Sequence, residues 1–181
     1  MINATLLIAA SLTLGQTAEP SAYEHLKELE CIIGTWEAET VLPESPSHSE
    51  SVQEWAGKPL KLRMNTRWAT GKHAQITEFV FEVPGEVKIT ETGVTGWDQT
   101  KEKFIFSSFT THKGVWSGTM EKSGDQWVSK FVGFNLDGQK CTGTRLWEVI
   151  GRDSIVLKEI DATTDGEPAP DMKYVFKRVV A

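Results

Sequence analysis

The sequence predicts an all-β protein: an antiparallel up-and-down barrel of about ten strands with a short N-terminal helix plugging one end. Three observations carry this. Leu26, Leu29, Ile32 and Ile33 fall on one helical face, and Gly34 ends that helix. About ten strand-like segments follow with turn residues between them and no second helix. In Leu60–Trp68, finally, Leu60, Leu62, Met64 and Trp68 alternate with Lys61, Arg63 and Arg67, the pattern of a strand with one buried and one wet face. Closure of such a meander removes its exposed edges, which favours a barrel over an open sheet.

Ala4–Leu14 is an uncharged apolar run, too short to span a bilayer and the right length for the core of a signal peptide. Residues 1–18 are therefore expected to be a signal peptide and 19–181 a barrel domain, exported to a periplasmic or extracellular space. Ser21 and Glu24 have the spacing of a capping box for the plug helix. Thr35–Val41 alternates as a first strand. Pro43–Pro59 is rich in Pro, Ser and Glu and long for a β connection; it reads either as a mobile surface loop or as a lid that packs Trp55 over a cavity.

After Leu60–Trp68 the expected strands are His73–Glu82, Glu86–Thr95, Phe104–Phe109, Val115–Met120, Gln126–Phe134, Lys140–Val149, Ser154–Thr163 and Met172–Val180. Gly96–Lys101 reads as a turn in which Asp98 bonds back to the backbone ahead of it. Gly118, Gly133 and Gly143 fall in mid-strand, where a missing side chain marks a bend or leaves space.

Composition narrows the function classes. The chain has 181 residues, enough for one domain with a sizeable core. A formal net charge of −6 with scattered Lys and Arg argues against nucleic acid. No integral membrane span is expected. Cys31 and Cys141 are the two cysteines; in an oxidising compartment they could bridge the plug helix to a strand, or they are small buried hydrophobes. His25, His48, His73 and His112 show no metal-ligand spacing and are expected to be solvated, so no metal or cofactor is expected.

No nucleophile elbow or catalytic motif is present, and no catalytic residue is named. Glu78, Glu82, Glu148, Glu159 and Asp161 lie on strands; one turned inward could act as a general base, while acidic residues more often occupy the wet face. The chain has seven tryptophans. Trp36, Trp68 and Trp97 suit the core or the closed end. Trp55, Trp116, Trp127 and Trp147, together with Trp68, are the candidates for lining a ligand cavity.

Leu26-x-x-Leu29-x-x-x-x-Gly34-Thr35-Trp36, then Gly96-Trp97-Asp98 followed by Phe104, and the final Tyr174-Val175-Phe176-Lys177-Arg178 resemble the calycin superfamily, the lipocalins and their relatives. More closely, they resemble a bacterial, secreted, lipocalin-like family of unknown function. The resemblance runs from about Tyr23 to the C-terminus. It implies that Trp36 packs at the closed end of the barrel against Arg178, tying the first strand to the last. Late-strand haem ligation, known in this superfamily, has no matching histidine here. The implied function is to hold a small apolar ligand in the barrel. The alternatives are an isomerase, cyclase or hydrolase acting on a hydrophobic substrate through a buried carboxylate, and a packed barrel acting only through its surface. An inward carboxylate paired with an arginine such as Arg145 would favour the enzyme.

Overall fold

A computed structural model describes residues 21–45, 53–83, 88–111 and 114–179. Helix α1 (Ala22–Leu26) continues as a 3-10 turn over Lys27–Ile32, and eleven strands follow. They are β1 (Gly34–Val41), β2 (Pro59–Trp68), β3 (Gln75–Glu82), β4 (Lys88–Asp98), β5 (Lys103–Thr110), β6 (Val115–Ser123), β7 (Gln126–Phe134), β8 (Lys140–Ile150), β9 (Ser154–Thr164), the two-residue β10 (Glu167–Pro168) and β11 (Met172–Arg178).

Each strand from β1 to β9 pairs antiparallel with the next, β9 pairs with β11, and β11 returns to β1. The result is a closed up-and-down barrel of ten strands, with β10 as a short addition along β9. Alternation works as the sequence predicts in β2, where Leu60, Leu62, Met64 and Thr66 are buried and Lys61, Arg63 and Arg67 are exposed. The exposed residues pair across strands, Arg63 with Glu37 at 3.8 Å and Arg67 with Glu78 at 3.7 Å. Such wet pairs add little stability.

The helix seals one end. Leu26 and Leu29 are fully buried against Phe104, Met120 and Trp127, with Trp68, Trp97 and Trp147 packed around them. Trp36 is fully buried and donates its indole N–H to Ile32 O at 2.9 Å. The Arg178 guanidinium lies 3.9 Å from the centre of the Trp36 ring. It donates to the carbonyls of Ile33 (2.8 Å), Cys31 (3.0 Å) and Arg152 (2.6 Å). Gly34 sits beneath it with φ +132°, and a Cβ there would fall 2.5 Å from Arg178 Nη1. Glycine is thus required twice over, by its backbone conformation and by the arginine that crosses it.

Several expectations are corrected. Ser21 is the N-cap residue, but its side chain makes no capping bond, and Glu24 pairs with Lys27 instead. The helix tightens to 3-10 geometry after one turn, because the chain has to deliver Ile32 O to Trp36 and Cys31 O and Ile33 O to Arg178. Strand β4 runs on through Gly96 and Trp97, which pair with Ile105 and Phe104. The turn starts at Asp98, whose Oδ1 accepts from the N–H groups of Thr100 and Lys101 as expected.

His25 is not solvated. Its ring stacks on Trp97 at 3.9 Å, nearly parallel, and its Nε2 is buried without a partner. His73 is exposed. The cysteines are free: Cys31 lies exposed beneath the closed end, Cys141 is buried where β8 begins at the other end, and no bridge joins them. The signal-peptide segment, His48, His112 and part of the Pro43–Pro59 loop lie outside the described residues.

Candidate functional site

Away from the helix the barrel holds a cavity of about 270 Å³. Its existence has a local cause in β5 to β8. Three inward aromatic residues each face a glycine on the next strand: Phe106 opposite Gly118, Trp116 opposite Gly133, and Phe131 opposite Gly143. Each ring lies against the bare glycine backbone. A Cβ at Gly143 would stand 2.6 Å from Phe131 Cζ, one at Gly133 2.5 Å from Trp116 Cε3, and one at Gly118 2.8 Å from Phe106 Cζ. The glycines therefore let large rings lie flat on the barrel wall instead of filling the lumen. Trp116 and Phe131 meet edge to face at 5.6 Å.

Phe131 is in turn a platform. The Arg145 guanidinium lies 4.6 Å from its ring centre. Arg145 and Glu159 are direct partners across β8 and β9, and Arg145 Nε donates to Glu159 Oε2 at 2.9 Å. Burial alone would loosen the arginine's proton, but Glu159 and Glu91 outweigh it and raise its affinity for that proton. Tyr174 completes the layer from β11. Burial, reinforced by Glu159 and opposed by Arg145, pushes its phenol well above the ordinary range, so it remains a neutral hydroxyl.

Glu91 enters from β4 on the inward row that also carries Ile89, Gly93 and Trp97. It is 8% exposed, and its side chain makes no hydrogen bond to any described residue. Glu91 and Arg145 face both the large cavity and a second one of about 80 Å³ that reaches down to Leu29 and Ile32 of the helix. A layer of one cation and two carboxylates thus divides the lumen. Beneath it Ser108 Oγ is buried without a partner, while Trp147 Nε1 donates to Ser129 Oγ at 3.2 Å.

The mouth is apolar. Trp55, 9% exposed, packs with Leu42, Leu60, Val83 and Ile89 over the large cavity. Its loop is fastened there by Gly57 N–H to Leu42 O at 2.9 Å. Of the two alternatives for this loop, Trp55 takes the covering position. Cys141 also lines the cavity, and burial pushes its thiol above the ordinary range, the opposite of an activated nucleophile.

The five tryptophans singled out from sequence separate by height. Trp55 and Trp116 line the large cavity, and Trp127 and Trp147 line the small one. Trp68 packs at the closed end, edge-on to Tyr23 at 5.6 Å. Of the strand carboxylates considered, Glu159 faces the lumen, whereas Glu78, Glu82 and Asp161 are exposed and Glu148 lies on the face opposite Arg145 and Trp147. Glu91 was missed, although its two-residue spacing from Ile89 and its six-residue spacing from Trp97 already place it on the buried face. Among the described residues no three metal-ligating side chains converge, and no helix is long and apolar enough to cross a membrane.

The arrangement can seat a compact apolar body under Trp55 and present it with a polar, charged floor. No protein-family model and no curated protein matches this chain, so its likeness to the lipocalin-type barrels is carried by the motifs and the topology described above.

Proposed function

We propose that this chain is an exported, lipocalin-like binding barrel that holds one small molecule with an apolar body in the cavity beneath Trp55. The observation that carries the reading is the wall of Trp116 and Phe131, held flat on Gly133 and Gly143, beside about 270 Å³ of open lumen. An engineered cavity of about 150 Å³ takes benzene, so this one suits a ligand of about two fused rings. Ligand sites typically start near ~300 Å³ and combine apolar walls with a few convergent polar groups. Export rests on the Ala4–Leu14 run, and kinship with lipocalins on the Gly34-Thr35-Trp36 opening and its Arg178 partner.

Native mass spectrometry of the mature chain, purified gently from its own envelope fraction, tests this. Extra mass that leaves on denaturation supports the reading and identifies the ligand. A clean apo mass, with no thermal shift from a panel of bicyclic aromatic compounds, favours a packed barrel acting through its surface. Two observations support a second reading, an enzyme working on a hydrophobic substrate: the inward carboxylate of Glu159 is paired with Arg145, and Glu91 faces the cavity with no hydrogen bond from a described residue, as a general base would. Conversion of the bound compound on prolonged incubation, lost in Glu91→Gln, would select it.

A further inference from the structure

Resting on the reading of the cavity as a ligand site, we propose that its ligand carries a protonated amine, which meets Glu91 at the floor, and that carboxylates are disfavoured. The floor holds two carboxylates, Glu91 and Glu159, against one guanidinium, and among the described residues no lysine or histidine lines the cavity. Arg145 is the one cation lining the cavity among the described residues, and its charge is already balanced by the two carboxylates. Its Nε is bonded to Glu159, and one face rests on Phe131.

Glu91 is the opposite case. It is buried, aimed at both cavities, and its side chain has no donor among the described residues. Its oxygens border the cavity, and a carboxyl group in so confined an apolar space favours a ligand that brings donors. A ligand ammonium supplies three of them and the missing positive charge together. A ligand carboxylate would add a third anion to the layer and donate nothing. The neutral Tyr174 hydroxyl lies in the same layer and can orient a polar head without altering the charge balance.

The body of the ligand is set by the walls. Trp116, Phe131, Phe81 and Trp55 present aromatic surfaces, and the volume fits about two fused rings. An arylalkylamine with one or two methylenes between ring and nitrogen therefore matches both the wall and the floor.

Three isosteric probes decide it by calorimetric titration of the full mature chain at pH 7: 2-(1-naphthyl)ethylamine, 2-(1-naphthyl)ethanol and 1-naphthylacetate. The expected result is that the amine binds about tenfold or more tightly than the acetate and more tightly than the alcohol. In Glu91→Gln the advantage of amine over alcohol should vanish. Acetate binding as tightly as the amine overturns the proposal and leaves the binding barrel standing. So does an amine preference that survives Glu91→Gln. Failure of all three probes to bind overturns the parent reading together with this one. The wild-type panel alone ranks the head groups, so the test does not depend on the variant folding.

Discussion

The closed end and the mid-lumen of this barrel each stack an arginine on an aromatic ring, and the two arginines have different company. At the closed end Arg178 lies over Trp36 and donates to three backbone carbonyls, from the 3-10 turn and from the β8–β9 turn. Its partners are neutral, fixed and close. In the mid-lumen Arg145 lies over Phe131 and bonds a carboxylate, with a second carboxylate beside it and a cavity on each side. The first arginine stitches chain segments far apart in sequence. The second holds charge on a wall. A buried ion pair is weak evidence for stability because desolvation offsets its attraction, whereas a cation sharing neutral carbonyls and a ring carries no such excess of unpaired groups. The same motif therefore ties distant segments together at the closed end and places charge inside the lumen.

Breaking the closed end should have the largest effect. Trp36→Ala removes a fully buried indole, its hydrogen bond to Ile32 O and the platform for Arg178; the expected loss is about 3–5 kcal/mol by denaturant unfolding. Arg178→Ala should cost about 2–3 kcal/mol and lower Tm, while probe affinity in the cavity stays nearly constant. A large affinity loss at unchanged Tm would refute the division between the two arginines.

Changes in the cavity wall should come next. Gly143→Ala drives a methyl into the Phe131 ring and should cost about 1–3 kcal/mol. Unlike Arg178→Ala it should also abolish binding, since both the ring and Arg145 shift. Glu91→Gln separates the two arginines further: it removes a buried carboxylate without a hydrogen bond but also one of the two charges facing Arg145, so the opposing effects should leave Tm nearly unchanged. A fall of more than ~4 °C would show that Glu91 is structural.

The smallest effect concerns alkali. The phenol of Tyr174 is raised in the folded barrel by burial, so its contribution to stability is complete below the unfolded value of about 10 and declines as pH rises beyond it. Wild type should thus lose more stability than Tyr174→Phe between neutral pH and pH 11, with the two nearly equal at pH 7. Urea midpoints at the two pH values check this.

How much of this was legible in sequence follows from period two. Alternation needs only local chain, so β2 and the order of the strands could be read directly, and the helix face followed from the spacing of Leu26 and Leu29. Heights in the lumen could not. Whether Trp116 or Trp127 lines the larger cavity depends on where each falls along the barrel axis, which strand pairing sets. Parity also breaks once. Between Thr142 and Thr144 the β8–β9 register shifts, and Asp161 adopts φ +52°. This bulge turns Ala162 inward after Ile155, Leu157 and Glu159, an exchange of faces that no local pattern announces. The turn at Gly96 was placed too early because Gly, Trp and Asp together look like a turn, yet Trp97 is needed as a strand residue to stack on His25 and meet Phe104. The fate of the cysteines was likewise a matter of which end each strand starts from.

The diagonal of glycines facing aromatic rings makes the capacity of this barrel an adjustable quantity. Each step sets how far one ring stands from the wall, and none of the three touches the joint between Arg178 and Trp36. A methyl at Gly143 would tilt the Phe131 ring inward, whereas at Gly118 and Gly133 it would meet the carbonyls of Lys130 and Val115, so there only trimming the ring changes the lumen. A family of barrels graded by ligand size could thus be made by changing three cross-strand pairs, with one unchanged lock holding every member shut at the opposite pole.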